Sequence, residues 1–177
     1  MNRFLATMII VLATGAVLSP KQSFAQSIGV DADLAVPLED GYDVGYGFGG
    51  RVGFGLPIPA ITLQAEAIGD WATMGISDVD GSTSIWRLGA GVRVGLGLPI
   101  VPDVFAHLAY ASASSTIGSL SADTSGLSWD IGIASTLLGL PLVDLGLHIA
   151  YKSFSPSEDN ADSFNWLVFG VQGDFGF

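Results

Sequence analysis

The chain has 177 residues, of which 49% are apolar and 13% are charged, and its formal net charge is −11. The acidic balance argues against nucleic acid as a partner, because phosphates would repel the carboxylates. The chain contains no cysteine, which excludes disulfides and thiol chemistry. Its mean hydropathy of +0.53 is high for so acidic a protein.

The first 25 residues have the pattern of a secretory signal peptide. Met1–Arg3 supplies a positive start, Phe4–Leu18 is apolar, and Ser23 and Ala25 are small residues where a signal peptidase reads. We therefore expect export through the Sec pathway, removal of residues 1–25, and a mature domain at 26–177. That domain would carry four Lys and Arg against 17 Asp and Glu, a net charge of −13.

The rest of the chain alternates with a period of two, which predicts β-strands. From Tyr46 to Leu56 every second residue is apolar or small, whereas the other register holds Arg51 and glycines. Glycine and arginine do not form the inside of an ordinary soluble core, so we expect the apolar face to contact lipid. No later apolar run reaches the roughly 18 residues of a spanning helix, which leaves a closed β-barrel.

Eight strands of this kind can be placed along the chain. In order they are about 28–36, 45–56, 61–71, 85–97, 104–111, 127–136, 143–151 and a last strand at the chain end. Their length of about ten residues suits a tilted strand that crosses a membrane. The sequence therefore predicts an all-β, eight-stranded antiparallel up-and-down transmembrane β-barrel.

A repeat accompanies the strands. Gly-Leu-Pro begins at Gly55, Gly97 and Gly139, at equal intervals of 42 residues. Such a period indicates one supersecondary unit used repeatedly. The third copy is out of phase with the alternation around it, which predicts a β-bulge or an early turn at 135–138.

The connections alternate between two kinds. Short turns that contain proline are predicted at 57–60, 98–102 and 137–142. Longer segments rich in Ser, Asp and Gly are predicted as loops at 38–44, 72–84, 112–126 and 153–163. Short turns on one side and long loops on the other are typical of outer-membrane barrels. Aromatic residues at the long-loop ends predict an interfacial belt formed by Tyr46, Trp71, Trp86, Tyr110, Trp129 and Tyr151.

At its end the chain resembles the small eight-stranded outer-membrane barrels of the OmpA transmembrane domain and OmpX type from Gram-negative bacteria. Phe177 carries the likeness, and further apolar residues share its register at Leu167, Phe169, Val171 and Phe175. The resemblance implies that Phe177 is read by the barrel-assembly machinery. It also implies an integral protein of the cell outer membrane, in contact with outer-membrane lipid and lipopolysaccharide.

The inward register is polar. It holds Asp31, Asp33, Arg51, Gln64, Glu66, Asp70, Arg87, Arg93, His107, Asp130, Asp144, His148, Gln172 and Asp174. An eight-stranded barrel has an interior just wide enough for side chains, so ion pairs are expected to plug it. If Leu56 pairs with Ile61, Arg51 lies opposite Glu66, and neighbouring glycines such as Gly49 and Gly91 make room for the guanidinium groups. A proton or ion path is the functional alternative.

Catalysis has little support in the sequence. Barrel lipid A deacylases place a His and a Ser two residues apart. Here the residue two positions after His107 is Ala109, and the residue two positions after His148 is Ala150. We expect no catalytic, cofactor-binding or metal-binding residues and no cofactor.

Acidic clusters mark the predicted loops. They are Glu39, Asp40 and Asp43, then Asp78 and Asp80, then Glu158, Asp159 and Asp162. Oxygen ligands suit calcium or magnesium, but no cluster has the full spacing of a calcium loop, which favours solvated carboxylates. The sequence thus predicts a non-enzymatic outer-membrane protein that presents acidic loops for envelope integrity, adhesion or surface interaction, with a possible extracellular partner. A narrow ion channel or small porin is the alternative, and a lipid-modifying enzyme a more distant one.

Overall fold

A computed structural model describes residues 26–58, 61–96, 98, 101–158 and 161–177. The signal peptide predicted at 1–25 lies outside the described residues. Eight strands are present: β1 (Gln26–Pro37), β2 (Gly45–Ile58), β3 (Ile61–Gly75), β4 (Gly81–Gly95), β5 (Asp103–Ile117), β6 (Leu120–Gly139), β7 (Val143–Pro156) and β8 (Phe164–Gly176).

Each strand pairs antiparallel with the next, and β1 pairs with β8, so the sheet closes into a barrel. The closing ladder runs from Ser27 opposite Gly176 to Pro37 opposite Trp166. Closure leaves no open edge along the barrel wall, which satisfies the backbone within a membrane. The predicted fold class is confirmed: the chain forms an all-β, eight-stranded antiparallel barrel.

The exterior of the wall is apolar. Large side chains with more than 40% of their surface exposed include Val30, Leu34, Phe48, Phe54, Leu88, Leu108, Ile131, Leu147, Phe169 and Val171. Water would penalise so wide an apolar surface, whereas lipid does not. Within the described residues, no helix is long and apolar enough to span a membrane.

Several strands are longer than predicted at their long-loop ends. The largest difference is at 112–126, predicted as a loop, where β5 and β6 continue as a paired hairpin to Ile117 and Leu120. Strand β3 likewise continues to Gly75, β4 begins at Gly81, and β7 continues to Pro156. The alternation does not reveal these extensions, because Ser, Thr, Ala and Asp on both faces give no contrast between apolar and polar registers.

The phase change near the third repeat is a local irregularity in β6. The register against β7 shifts between Thr136 and Leu138, within the range where a bulge was predicted. Residues before the shift, such as Ile133, are exposed in the same register as Ile131. The extra residue therefore changes whether odd-numbered or even-numbered positions face outward before the chain turns into β7.

The aromatic residues predicted for a belt lie at one end of the wall. Trp71 is directly opposite Trp86, and the ring of Tyr46 lies 5.9 Å from that of Trp71. Trp129 and Tyr151 are 5.4 Å apart on the other side. Their amphipathic rings at a common level are suited to a membrane interface.

Candidate functional site

The inside of the barrel is an extended network of charges. All the inward residues predicted from the sequence lie in the strands, in the register that faces the lumen. The sequence did not predict two further charged members, which are Asp103 at the start of β5 and Lys152, which is 8% exposed. The alternating inward positions of β7, which include Asp144 and His148, reach Lys152. They would have predicted it if the seventh strand had been extended beyond Tyr151.

Glu66 is the centre of the half of the network near the short turns. Arg93 donates from Nε to Glu66 Oε1 at 2.8 Å, and His107 Nε2 lies 2.8 Å from Oε2. Arg51 Nε is 3.7 Å from Oε1, too far for a hydrogen bond but close enough for an ion pair. The Glu66 side chain has no exposure to solvent, so its charge depends on these partners.

The predicted register between β2 and β3 was wrong. Leu56 pairs with Leu63 rather than Ile61, so Gly53 lies opposite Glu66 and Arg51 lies opposite Ile68. The strands continue to a tighter connection than predicted, which shifts the ladder by two residues.

Arg51 consequently reaches Glu66 only diagonally. Its main contacts are on β8 and β1, where NH2 donates to Asp174 at 2.5 Å and NH1 lies 3.4 Å from Asp31. Gly29 allows this arrangement, because a Cβ added there would stand 2.5 Å from Arg51 Nε.

The second half of the network begins at His107. Its Nδ1 lies 2.7 Å from Asp130 Oδ1, and Asp130 also accepts a hydrogen bond from Arg87. Arg87 lies 3.4 Å from Asp70, and the other oxygen of Asp70 lies 3.4 Å from Lys152. His107 thus bridges two carboxylates, and ion pairs cross the lumen from β8 to β7.

The glycine prediction was only partly right. A Cβ on Gly91 would meet the His107 ring at 2.5 Å, and one on Gly49 would meet the Asp31 carboxylate at 2.5 Å. These glycines do make room for lumen side chains, but for an imidazole and a carboxylate rather than for guanidinium groups.

Beyond the ions, toward the long loops, the lumen is filled by an apolar cap. We define this cap as Met74, Ile85, Phe154 and Trp166, each 1% or 2% exposed. The sequence did not predict Met74 as part of the interior, because the predicted third strand ended at Trp71. The inward series that contains Asp70 reaches Met74 two positions after Ala72.

A cavity of about 50 Å³ remains between the cap and the short turns, lined mainly by charged residues of the network. It has room for a few water molecules or one ion. Asp33, His148 and Lys152 line one side of it, and Arg93 and His107 line another.

The long-loop end of the barrel, which we call the outer face, has the opposite charge pattern. The four Lys and Arg of residues 26–177 are Arg51, Arg87, Arg93 and Lys152, and all four line the lumen. Eight described carboxylates lie beyond the aromatic belt without any Lys or Arg among them: Glu39, Asp40, Asp43, Asp78, Asp80, Asp123, Glu158 and Asp162. Asp159 of the last predicted cluster lies outside the described residues.

Some of these carboxylates hold the loops in place. Glu39 Oε1 accepts hydrogen bonds from the backbone N and Nδ2 of Asn165, at 2.7 and 2.9 Å. Asp43 Oδ1 accepts one from Ser77 at 2.8 Å. Within the described part of the chain, the one group of three side chains close enough to share a metal ion is not in the loops but in the lumen.

No family model matches the sequence, and no curated protein matches it. Solved structures do share its architecture. Neisserial surface protein A is similar with a TM-score of 0.61 and 16% identity, over 86% of this chain and 97% of that one. The fold is that of the small outer-membrane β-barrels.

Two other solved barrels support this assignment of the fold. Ail, the attachment invasion locus protein of Yersinia pestis, solved with the heparin analogue sucrose octasulfate, gives a TM-score of 0.55 at 15% identity over 86% of this chain and 99% of that one. The N-terminal β-barrel domain of Pseudomonas aeruginosa OprF gives 0.51 at 15% identity, over 88% of this chain and 99% of that one.

Proposed function

We propose that the protein is a non-enzymatic scaffold of the outer membrane that presents an acidic surface to the outside of the cell. One observation carries the proposal: every Lys and Arg of residues 26–177 lines the lumen, whereas eight described carboxylates lie on the outer side. A surface without cations attracts positively charged partners and repels polyanions. The partner class is therefore a cationic protein or peptide, bound for adhesion or another surface interaction.

The extended strands give this surface a rigid base. Beyond the aromatic belt, β4 still pairs with β5 as far as Gly81 opposite Ile117, and β5 pairs with β6 as far as Leu120. A paired sheet holds its side chains in fixed positions at a lower ordering cost than free loops.

A binding assay with two charged probes tests the proposal. The refolded barrel in lipid nanodiscs should bind immobilised polylysine and should not bind immobilised heparin. A variant with Asp40, Asp43, Asp78 and Asp80 all changed to Asn should lose most of the polylysine binding, while a matched exchange of Ser112, Ser121 and Ser125 to Asn should retain it. Heparin binding by the unaltered barrel would contradict the proposed charge selection.

The membrane partners follow from the wall. The apolar exterior would contact outer-membrane lipid, and the aromatic belt would contact the sugar and headgroup region of lipopolysaccharide.

Phe177 is 69% exposed in the same register as Phe175, which supports its proposed contact with the barrel-assembly machinery. Deleting Phe177 should lower assembly in cells more than refolding into detergent, and heat-modifiable gel mobility would measure both. Equal losses in the two assays would remove this contact.

A narrow channel is the second candidate, and the lumen cavity of about 50 Å³ favours it. The apolar cap and the crossing ion pairs support a plugged lumen instead, because an ion would need to displace both. Planar-bilayer recordings should therefore give no stable conductance steps. Reproducible single-channel steps from the refolded protein would replace the scaffold with a channel.

A further inference from the structure

Three side chains from the first and seventh strands meet on one side of the lumen. Asp31, Asp33 and His148 each offer a ligand atom within 4.8 Å of the other two. His148 Nε2 is 3.0 Å from Asp33 Oδ1, and the two side chains are 7% and 5% exposed. We call these residues the lumen triad. Their oxygen and nitrogen atoms are ordinary ligands of divalent transition metals.

The triad is incompletely hydrogen-bonded. Asp33 Oδ1 and His148 Nδ1 are buried without a hydrogen-bond partner. The approach of His148 Nε2 to Asp33 therefore lacks the alignment of a hydrogen bond despite its length. Buried polar atoms in folded proteins nearly always have a partner, and each one without it is costly. An ion bound between Asp33 Oδ1 and His148 Nε2 would supply the interaction that this carboxylate oxygen lacks.

The backbone keeps space open at this position. Gly170 lies on β8 directly opposite Asp33 on one side and His148 on the other. A Cβ added to Gly170 would meet Asp33 Oδ1 and would stand 2.6 Å from His148 Nε2. The missing side chain lets two residues from non-adjacent strands approach each other across β8.

The charge of the lumen favours a cation there. The inward register holds eight carboxylates: Asp31, Asp33, Glu66, Asp70, Asp103, Asp130, Asp144 and Asp174. It holds four permanent cations, which are Arg51, Arg87, Arg93 and Lys152. Because His107 faces a carboxylate with each ring nitrogen, it satisfies both as a two-donor imidazolium, which adds a fifth positive charge. An excess of negative charge remains.

The neighbouring cations contact the triad aspartates only at long distances. Lys152 is 3.9 Å from Asp33 but 3.4 Å from Asp70, and Arg51 is 3.4 Å from Asp31 but 2.5 Å from Asp174. Each is held more closely by a carboxylate outside the triad. Asp31 and Asp33 are therefore the less tightly paired members of the network.

We propose that the lumen triad binds one divalent transition-metal ion of the zinc class, through one carboxylate oxygen from each aspartate and an imidazole nitrogen of His148. Bonds of about 2.0–2.2 Å place ligand atoms no more than about 4.4 Å apart, so the triad closes by small side-chain rotations. Calcium fits poorly, since it takes six to eight oxygen ligands. Water in the adjoining cavity completes the coordination.

Metal titration of the refolded full chain in detergent tests this. After dialysis against a chelator, the protein should bind one equivalent of Zn²⁺ by calorimetry, and its thermal midpoint should rise with Zn²⁺ but not with Ca²⁺ at the same concentration. Co²⁺ should give visible absorption bands of a protein-bound ion, which Zn²⁺ then removes.

Variants separate the triad from the acidic outer face. His148→Gln and Asp33→Asn should each lower Zn²⁺ affinity at least tenfold. Gly170→Ala should do so with every ligand retained, because its methyl group fills the space. Asp78→Asn with Asp80→Asn is the matched control and should leave affinity unchanged. Absence of stoichiometric binding, or binding that survives both His148→Gln and Gly170→Ala in folded protein, would overturn the proposal.

Discussion

Carboxylates in the lumen and carboxylates on the outer face have the same chemistry but opposite surroundings. Glu66 and Asp130 are buried and each contacts an arginine and a histidine, whereas Asp78 and Asp80 are exposed and have no Lys or Arg nearby in the chain. The protein thus uses its few cations where desolvation is costly and leaves water to stabilise the rest. Net charge alone therefore does not indicate where electrostatics contributes to stability.

The largest expected effect comes from removing a lumen cation. Arg87→Met should destabilise the barrel by about 3–5 kcal/mol, because Asp130 and Asp70 would stay buried without their shared partner. Urea unfolding in lipid vesicles would measure the loss. Adding Asp130→Asn should recover part of it, and Asp80→Asn alone should change stability by no more than about 0.5 kcal/mol. Equal effects of Arg87→Met and Asp80→Asn would abolish the distinction between the two regions.

A second prediction sharpens the comparison within the lumen. A double-mutant cycle on Arg93 and Glu66 should give a coupling energy of about 1–3 kcal/mol, since the two groups share a hydrogen bond of 2.8 Å. The cycle on Arg51 and Glu66 should give less, because those atoms are 3.7 Å apart. All single and double Ala variants would be unfolded in urea. A larger coupling for Arg51 would support the register predicted from sequence over the one in the structure.

The smallest effect is expected on the outer face. Sodium chloride should raise the thermal midpoint slightly by screening repulsion between exposed carboxylates, and calcium at matched ionic strength should do no more. Exposed charge interactions of this kind are worth less than about 1 kcal/mol each. A rise specific to calcium that disappears in the Asp78→Asn, Asp80→Asn variant would mean that the loops form a divalent site.

The sequence was sufficient for the architecture and for the inward residues, because a period of two is a strong signal when one face contacts lipid. Prediction from the sequence failed where the two faces of a strand no longer differ in polarity. Met74 and Lys152 lie beyond the predicted strand ends, and the hairpin at 112–126 is a paired sheet with no regular alternation of apolar and polar residues. Near the aqueous ends of the strands, hydrogen bonding and not hydrophobicity determines where a strand stops.

The sequence also could not predict which lumen side chains form ion pairs with each other. The alternation along a strand shows which side chains point into the lumen. A register shift of two residues between β2 and β3 does not change which side chains point inward, but it moves Arg51 away from Glu66. Contacts across the lumen, such as Asp33 with His148, join strands that are not neighbours in the chain. Only the closed geometry brings them together.

The apolar cap makes the two ends of the barrel unequal in their access to solvent. Trp166 and Phe154 fill the lumen near the long loops, so we expect water and protons to exchange with the charged interior more slowly through that end. Amide exchange in the lumen should then be slower on the long-loop side of the charged network than exchange in the loops themselves. In the proposed orientation, a change of pH or ion content outside the cell would alter the acidic loops before it altered the charged interior.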